Sequence, residues 1–154
     1  MPNRLDSLFN RESGDLPKTV HASCVAHKGA AVLILGQSGA GKSSLAMQLL
    51  ALGAELLADD RTILTGVNGK VMASVPDAIA GLIEARGVGI LHAEFAGPTP
   101  VALIIDLDHE ETERLPKPRS IDLMGQATPV LYAVQAAHFP AAILQYLSQG
   151  KLDE

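Results

Sequence analysis

Cysteine is almost absent: Cys24 stands alone among 154 residues. One thiol excludes an internal disulfide and any cysteine-based zinc cluster, and it suits a reducing cytoplasm. Cys24 itself reads as a small buried apolar residue. An excess of positive charge is lacking too. Twelve Lys and Arg against 17 Asp and Glu leave a net charge of −5, which argues against nucleic acid as the main partner. No apolar run approaches the roughly 20 residues of a membrane span. Residues 1–17, where charges alternate with Leu and Phe, read as neither signal peptide nor membrane anchor. Internal repeats and low-complexity tracts are also missing. The expectation is a soluble, unexported chain, 47% hydrophobic and 19% charged, able to bury one core without disulfides. It divides into a flexible lead-in over 1–17 and a single domain over 18–154.

What the chain does carry is Gly36-Gln37-Ser38-Gly39-Ala40-Gly41-Lys42-Ser43, a complete G-x-x-x-x-G-K-[ST] phosphate loop. From residue frequencies such a string arises by accident in roughly one chain in a few hundred of this length. Its setting fits, because Val32-Leu33-Ile34-Leu35 reads as a buried strand before it and Ser44 to Leu50 as a helix after it. The glycines let successive N–H groups turn toward one anion, Lys42 can reach the outer phosphates, and the Ser43 hydroxyl can sit on Mg²⁺. Residues 36–44 are therefore the candidate ATP contacts, Ser44 included as the start of the helix.

Around the loop, Thr19 to Ala26 and Ala30 to Leu35 read as strands about His27-Lys28-Gly29. The helix stops near Leu52-Gly53, and Ala54 to Ala58 returns as a short strand. Arg61 to Thr65 and Lys70 to Ser74 flank the turn-rich Gly66-Val67-Asn68-Gly69, a hairpin pattern. Pro76 to Ala85 reads as a helical turn or loop, Gly87 to His92 as strand or loop, and Val101 to Leu107 as an apolar strand. Pro116 and Pro118 mark a surface loop, Thr128 to Ala136 another strand, and Phe139 to Leu147 a terminal helix with Pro140 in its first turn. The fold class is α/β with a mixed sheet.

A phosphate loop alone leaves the reaction open. Asp59 and Asp60, a carboxylate pair ending the strand after the loop helix, can supply a metal contact and a base for an incoming hydroxyl. Asp106 is a rival. It ends the apolar run Val101 to Ile105, a pattern that holds Mg²⁺ in many phosphate-loop enzymes and would indicate an ATP hydrolase or small-molecule kinase. Pattern alone does not choose between them.

Ala80-Gly81-Leu82-Ile83-Glu84-Ala85-Arg86-Gly87-Val88-Gly89-Ile90 resembles the signature of the HPr kinase/phosphorylase family. Val20-His21, the loop, and Leu56 to Asp60 match that family's other motifs in order. The resemblance covers Val20 to about Ala136 and corresponds to the family's C-terminal catalytic domain. It implies a phosphate-loop core of the PEP-carboxykinase-like kind, a mixed β-sheet with flanking helices. It also implies an ATP- and Mg²⁺-dependent kinase acting on a serine of HPr, the phosphocarrier protein of the sugar phosphotransferase system, in many members with phosphorolysis as well. On the same basis Asp59 is general base with Asp60 beside it, and His21 interacts with Asp59. Ser43 and Glu84 are Mg²⁺ contacts, Arg86 and Arg114 stabilise phosphate charge, and the assembly is a hexamer. His92, His109 and His138 have no matching ligand spacing and receive no role.

Two departures qualify the match. The family's N-terminal regulatory domain is expected to be missing, and the Gly-Arg-Asn element before its last apolar strand is replaced by Thr128-Pro129-Val130-Leu131-Tyr132-Ala133-Val134. The expectation is accordingly confined to the forward reaction. Its alternatives are the Asp106 ATPase or small-molecule kinase, and a nucleotide-responsive binding module without chemistry.

Overall fold

The computed structural model describes residues 17–152. In chain order these form β1 (Lys18–Val20), β2 (Ala22–His27), β3 (Ala30–Leu35), α1 (Lys42–Ala51), β4 (Glu55–Ala58), β5 (Thr62–Val67) and β6 (Lys70–Ser74). A 3₁₀ turn (Asp77–Ile79) follows, then β7 (Leu82–Ala85), β8 (Gly89–His92), β9 (Thr99–Glu110), β10 (Arg119–Leu123), β11 (Gln126–Ala133) and α2 (Phe139–Gln149). Apart from Pro17, the expected lead-in over 1–17 lies outside the described residues. No described helix is long and apolar enough to cross a membrane.

The sheet is organised by β3 and β9, which run parallel, with Ile34 level with Ile105 and Leu35 with Asp106. β11 lies parallel to β9, whereas β2 pairs antiparallel with both β3 and β4. The first residues of β9 pair with β6, which leads through β5 to β1. Strands buried on both faces must be apolar at every position, and β3 shows this. Ala31, Leu33 and Leu35 enter a core with Val20, Cys24 and Leu64, while Val32 and Ile34 face α1 and α2 beside Leu45, Leu49 and Ile143.

The hairpin after β5 is tighter than its composition suggests. The strands continue to Val67, and the turn shrinks to Asn68 and Gly69, whose positive φ values of 49° and 76° match the twist of the flanking strands. β7 and β8 form their own two-stranded hairpin, so the ambiguous stretch from Pro76 to His92 resolves into a 3₁₀ turn and two strands. β10 was not anticipated, and β9 outruns its expected end at Leu107 because Glu110 still pairs with Ala133.

Candidate active site

The loop joins the C-terminal end of β3 to the start of α1, so its N–H groups lie at the positive end of the helix dipole. Gly39 and Gly41 take φ values of 88° and 102°, which side chains resist. Gly36 is needed for a different reason. A Cβ there would stand 2.9 Å from Ala40 Cβ and 3.2 Å from Leu107 Cβ, so the loop's start is pressed against both its own turn and β9. Lys42 is buried and donates from Nζ to the carbonyls of Gly36 (2.9 Å) and Gln37 (3.2 Å).

Asp59 is fixed beside the loop by strand register. One extra residue in β4 slips its pairing so that Cys24 faces Ala58 and Val25 faces Leu56. Continuing from Cys24, Asp59 falls opposite Ser23 on the helix side of the sheet. Ser23 and Ser43 then both donate hydroxyl protons to Asp59 Oδ1, at 2.9 and 2.6 Å, and the Glu84 N–H donates to Oδ2 at 2.9 Å. Three donors converge on one buried carboxylate, tying together the loop helix, β2 and β7.

Asp60 turns the other way. Its φ of 66° is uncommon for a residue with a side chain, although Asp tolerates it better than most. Its N–H donates to Ser23 Oγ at 3.0 Å, while its half-exposed carboxylate lies 2.5 Å from His21 Nε2. The carboxylate contact seen for His21 is thus with Asp60, next to the Asp59 that the sequence expectation paired it with. The reversal at Asp60 swings its carboxylate toward β1, leaving Asp59 on the loop side.

A cleft of about 540 Å³ is lined by His21, Ser38, Gly39, Gly41, Lys42, Ser43, Ser44, Asp59, Asp60, Glu84 and Arg86, with Met47 and Gln48 from α1. Glu84 is exposed on β7 and Arg86 in the turn beyond it. Arg114 does not join them. It is exposed in the loop after β9, whose base is closed by an ion pair between Glu111 and Arg119. Asp106 is buried in the body of β9 rather than at its end, outside the cleft lining, with Oδ1 accepting the Asp108 N–H and Oδ2 2.7 Å from His109 Nδ1.

Two contributors had escaped the sequence reading. Ser23 is a fully buried hydroxyl among the buried apolar residues Ala22, Cys24, Val25 and Ala26, a mismatch that marks a polar partner nearby. Asp108 accepts the Gln37 N–H of the loop at 2.9 Å, and its signal was the alternation Asp106-Leu107-Asp108. Burial pushes the Cys24 thiol far above its ordinary pKa, in keeping with a purely packing role.

The family model of the HPr Serine kinase C-terminal domain matches residues 16–119. Similar curated proteins include the HPr kinase/phosphorylases of Acidovorax sp. (strain JS42), 36% identical over 130 residues, and of Stenotrophomonas maltophilia (strain K279a), 34% identical over 129 residues. Each alignment covers 75% of this chain but only 40% and 41% of those relatives. Among solved structures, the HPr(Ser) kinase/phosphatase from Coxiella burnetii shares the fold, with a TM-score of 0.71 over 84% of this chain and 88% of that one, at 24% identity.

Proposed function

This chain belongs to the HPr Serine kinase C-terminal domain family, and we propose that it transfers the γ-phosphoryl group of ATP to a serine hydroxyl of an HPr-like phosphocarrier protein. The observation carrying this reading is the His21–Asp60 pair in the same cleft as the phosphate loop. A hydrolase needs only a water beside the γ-phosphate, whereas a hydroxyl acceptor calls for a base reachable from outside, and Asp60 is half-exposed.

Geometry favours Asp60 over Asp59 as that base. Both Asp59 oxygens already receive hydrogen bonds, whereas the contact with His21 engages Oδ1 of Asp60. In the proposed step the serine Oγ forms a bond to the γ-phosphorus, its proton passes to Asp60, and the bond to the β-phosphate oxygen breaks to release ADP. His21 orients the carboxylate. Lys42 leaves the carbonyls it now holds and reaches the outer phosphates, and Arg86 on the β7–β8 turn adds positive charge where phosphate charge spreads. Ser43, Asp59 and Glu84 offer hard oxygen donors of the type that suits Mg²⁺, which would neutralise triphosphate charge when bound. A cytoplasmic location, where ATP is available as phosphoryl donor, is part of the same proposal, and light scattering would test the expected hexamer.

Incubation with γ-labelled ATP, Mg²⁺ and the HPr homologue, followed by a chase with inorganic phosphate, tests the reading. Label should move to HPr and stay there through the chase. Asp60→Asn should slow transfer by about 10²–10⁴-fold, the range for loss of a general base, while ATP still binds. A fully active Asp60→Asn enzyme would sink the assignment. Rapid ATP turnover without HPr would favour a hydrolase, and complex formation without transfer a binding module.

A further inference from the structure

We propose that Asp108 is a positioning residue for the phosphate loop, holding the Gly36–Gln37 peptide in the orientation that the loop's anion-binding N–H groups require. The inference rests on the reading that the loop binds ATP. Gly36 O and Gln37 N–H belong to one planar peptide unit, so fixing either end fixes both. Lys42 Nζ holds the carbonyl end at 2.9 Å and Asp108 Oδ1 the N–H end at 2.9 Å. When Lys42 moves to the phosphates, the carbonyl end is released. Asp108 then keeps the peptide from rotating.

Asp108 is itself well anchored. Its N–H donates to Asp106 Oδ1 at 3.0 Å, and the Asp106 carboxylate is buried and held from the other side by His109. The His109 ring stacks on Tyr132 at 5.1 Å, and Arg119 lies 4.1 Å over Tyr132 while pairing with Glu111. Leu107, next to Asp108, is the β9 residue against which Gly36 is pressed. Asp106 thereby finds a use unlike the metal contact its strand-then-Asp pattern suggested. Electrostatics alone would disfavour an exposed carboxylate beside a triphosphate site, so its value there is as an acceptor placed by β9.

Asparagine keeps an acceptor oxygen and removes the charge, whereas alanine removes both. The test therefore compares Asp108→Ala, Asp108→Asn and the control Glu110→Gln, which neutralises an exposed carboxylate on the same strand. Asp108→Ala should raise the KM for ATP about fivefold, the factor for ~1 kcal/mol of one net hydrogen bond, with kcat little changed. Asp108→Asn should restore the wild-type KM, and Glu110→Gln should leave it unaltered. The ¹H–¹⁵N signal of Gln37, read without nucleotide, should shift and exchange faster only in Asp108→Ala. An unmoved Gln37 amide, or equal KM values for the Ala and Asn variants, would overturn the proposal. Failure of wild-type protein to bind ATP would instead defeat the underlying reading, and the amide measurement would still report on the clamp.

Discussion

Replacing Asp59 by Asn changes one atom and disturbs three hydrogen bonds. Ser23 and Ser43 donate to Oδ1 and the Glu84 N–H to Oδ2, but an amide has only one acceptor oxygen. If that oxygen takes the Oδ1 position, the NH₂ group faces the Glu84 N–H, donor against donor, and a backbone N–H loses its partner. If it takes the Oδ2 position, both serine hydroxyls must rotate away from the NH₂. Hydrogen bonds to a charged acceptor contribute about 1.5–3 kcal/mol each against about 0.5–1.5 for neutral pairs, so three weakened or broken bonds cost roughly 3 kcal/mol. Relief from burying a charge offsets about a third of this, leaving a net loss of about 2 kcal/mol. For a domain of this size that lowers Tm by about 4–8 °C. Urea and thermal unfolding of Asp59→Asn, Ser43→Ala and the double variant, in metal-free buffer, measure both the loss and the Asp59–Ser43 coupling. A variant within about 0.5 kcal/mol of wild type, or more stable than it, would refute the three-donor account.

Two further substitutions test other parts of the site. Gly36→Ala forces a Cβ within 2.9 Å of Ala40 Cβ and 3.2 Å of Leu107 Cβ, neither of which can move without its backbone; overpacking of this kind costs about 1–3 kcal/mol, and calorimetric titration should show ATP affinity falling at least in proportion. The Arg119 guanidinium holds the Glu111 carboxyl below its ordinary pKa of 4.5. A depressed pKa adds stability that is complete above the unfolded value and disappears as pH falls through the folded one. Glu111→Gln should therefore lower stability at pH 7 and flatten its decline below about pH 4.5, as followed by urea midpoints across that range; an unchanged acid limb would show that the pair contributes nothing.

The centre of the fold was legible because its signals are local and redundant. A buried apolar strand, a phosphate loop and a helix each announce themselves within a few residues of the next, and β3, the loop and α1 lie where periodicity put them. The Asp59–Ser23 bond was not legible, since it depends on one extra residue in the β2–β4 pairing, which no local pattern encodes. Nor was the contact between His21 and Asp60, which follows from a left-handed φ at Asp60. β10 escaped notice because it is only partly buried and follows two prolines, and because its partner, β11, supplies the pairing that makes it a strand. Arg114 resembled a phosphate contact by sequence, yet the loop closed by Glu111 and Arg119 carries it away from the cleft lining.

The long strand β9 also governs when the site can exist. The loop's residues leave the ribosome early, but the carboxylate that meets Gln37 is 71 positions further along the chain. The strand beside β3 arrives with it, and β11 later still. Such distant pairings carry a loop-closure penalty that must be met before any contact rewards it, which slows folding. A nascent chain that has emerged only through β8 therefore has the whole nucleotide-binding motif and β2 on one side of β3, but neither the strand that lies along the other side nor the carboxylate that meets Gln37.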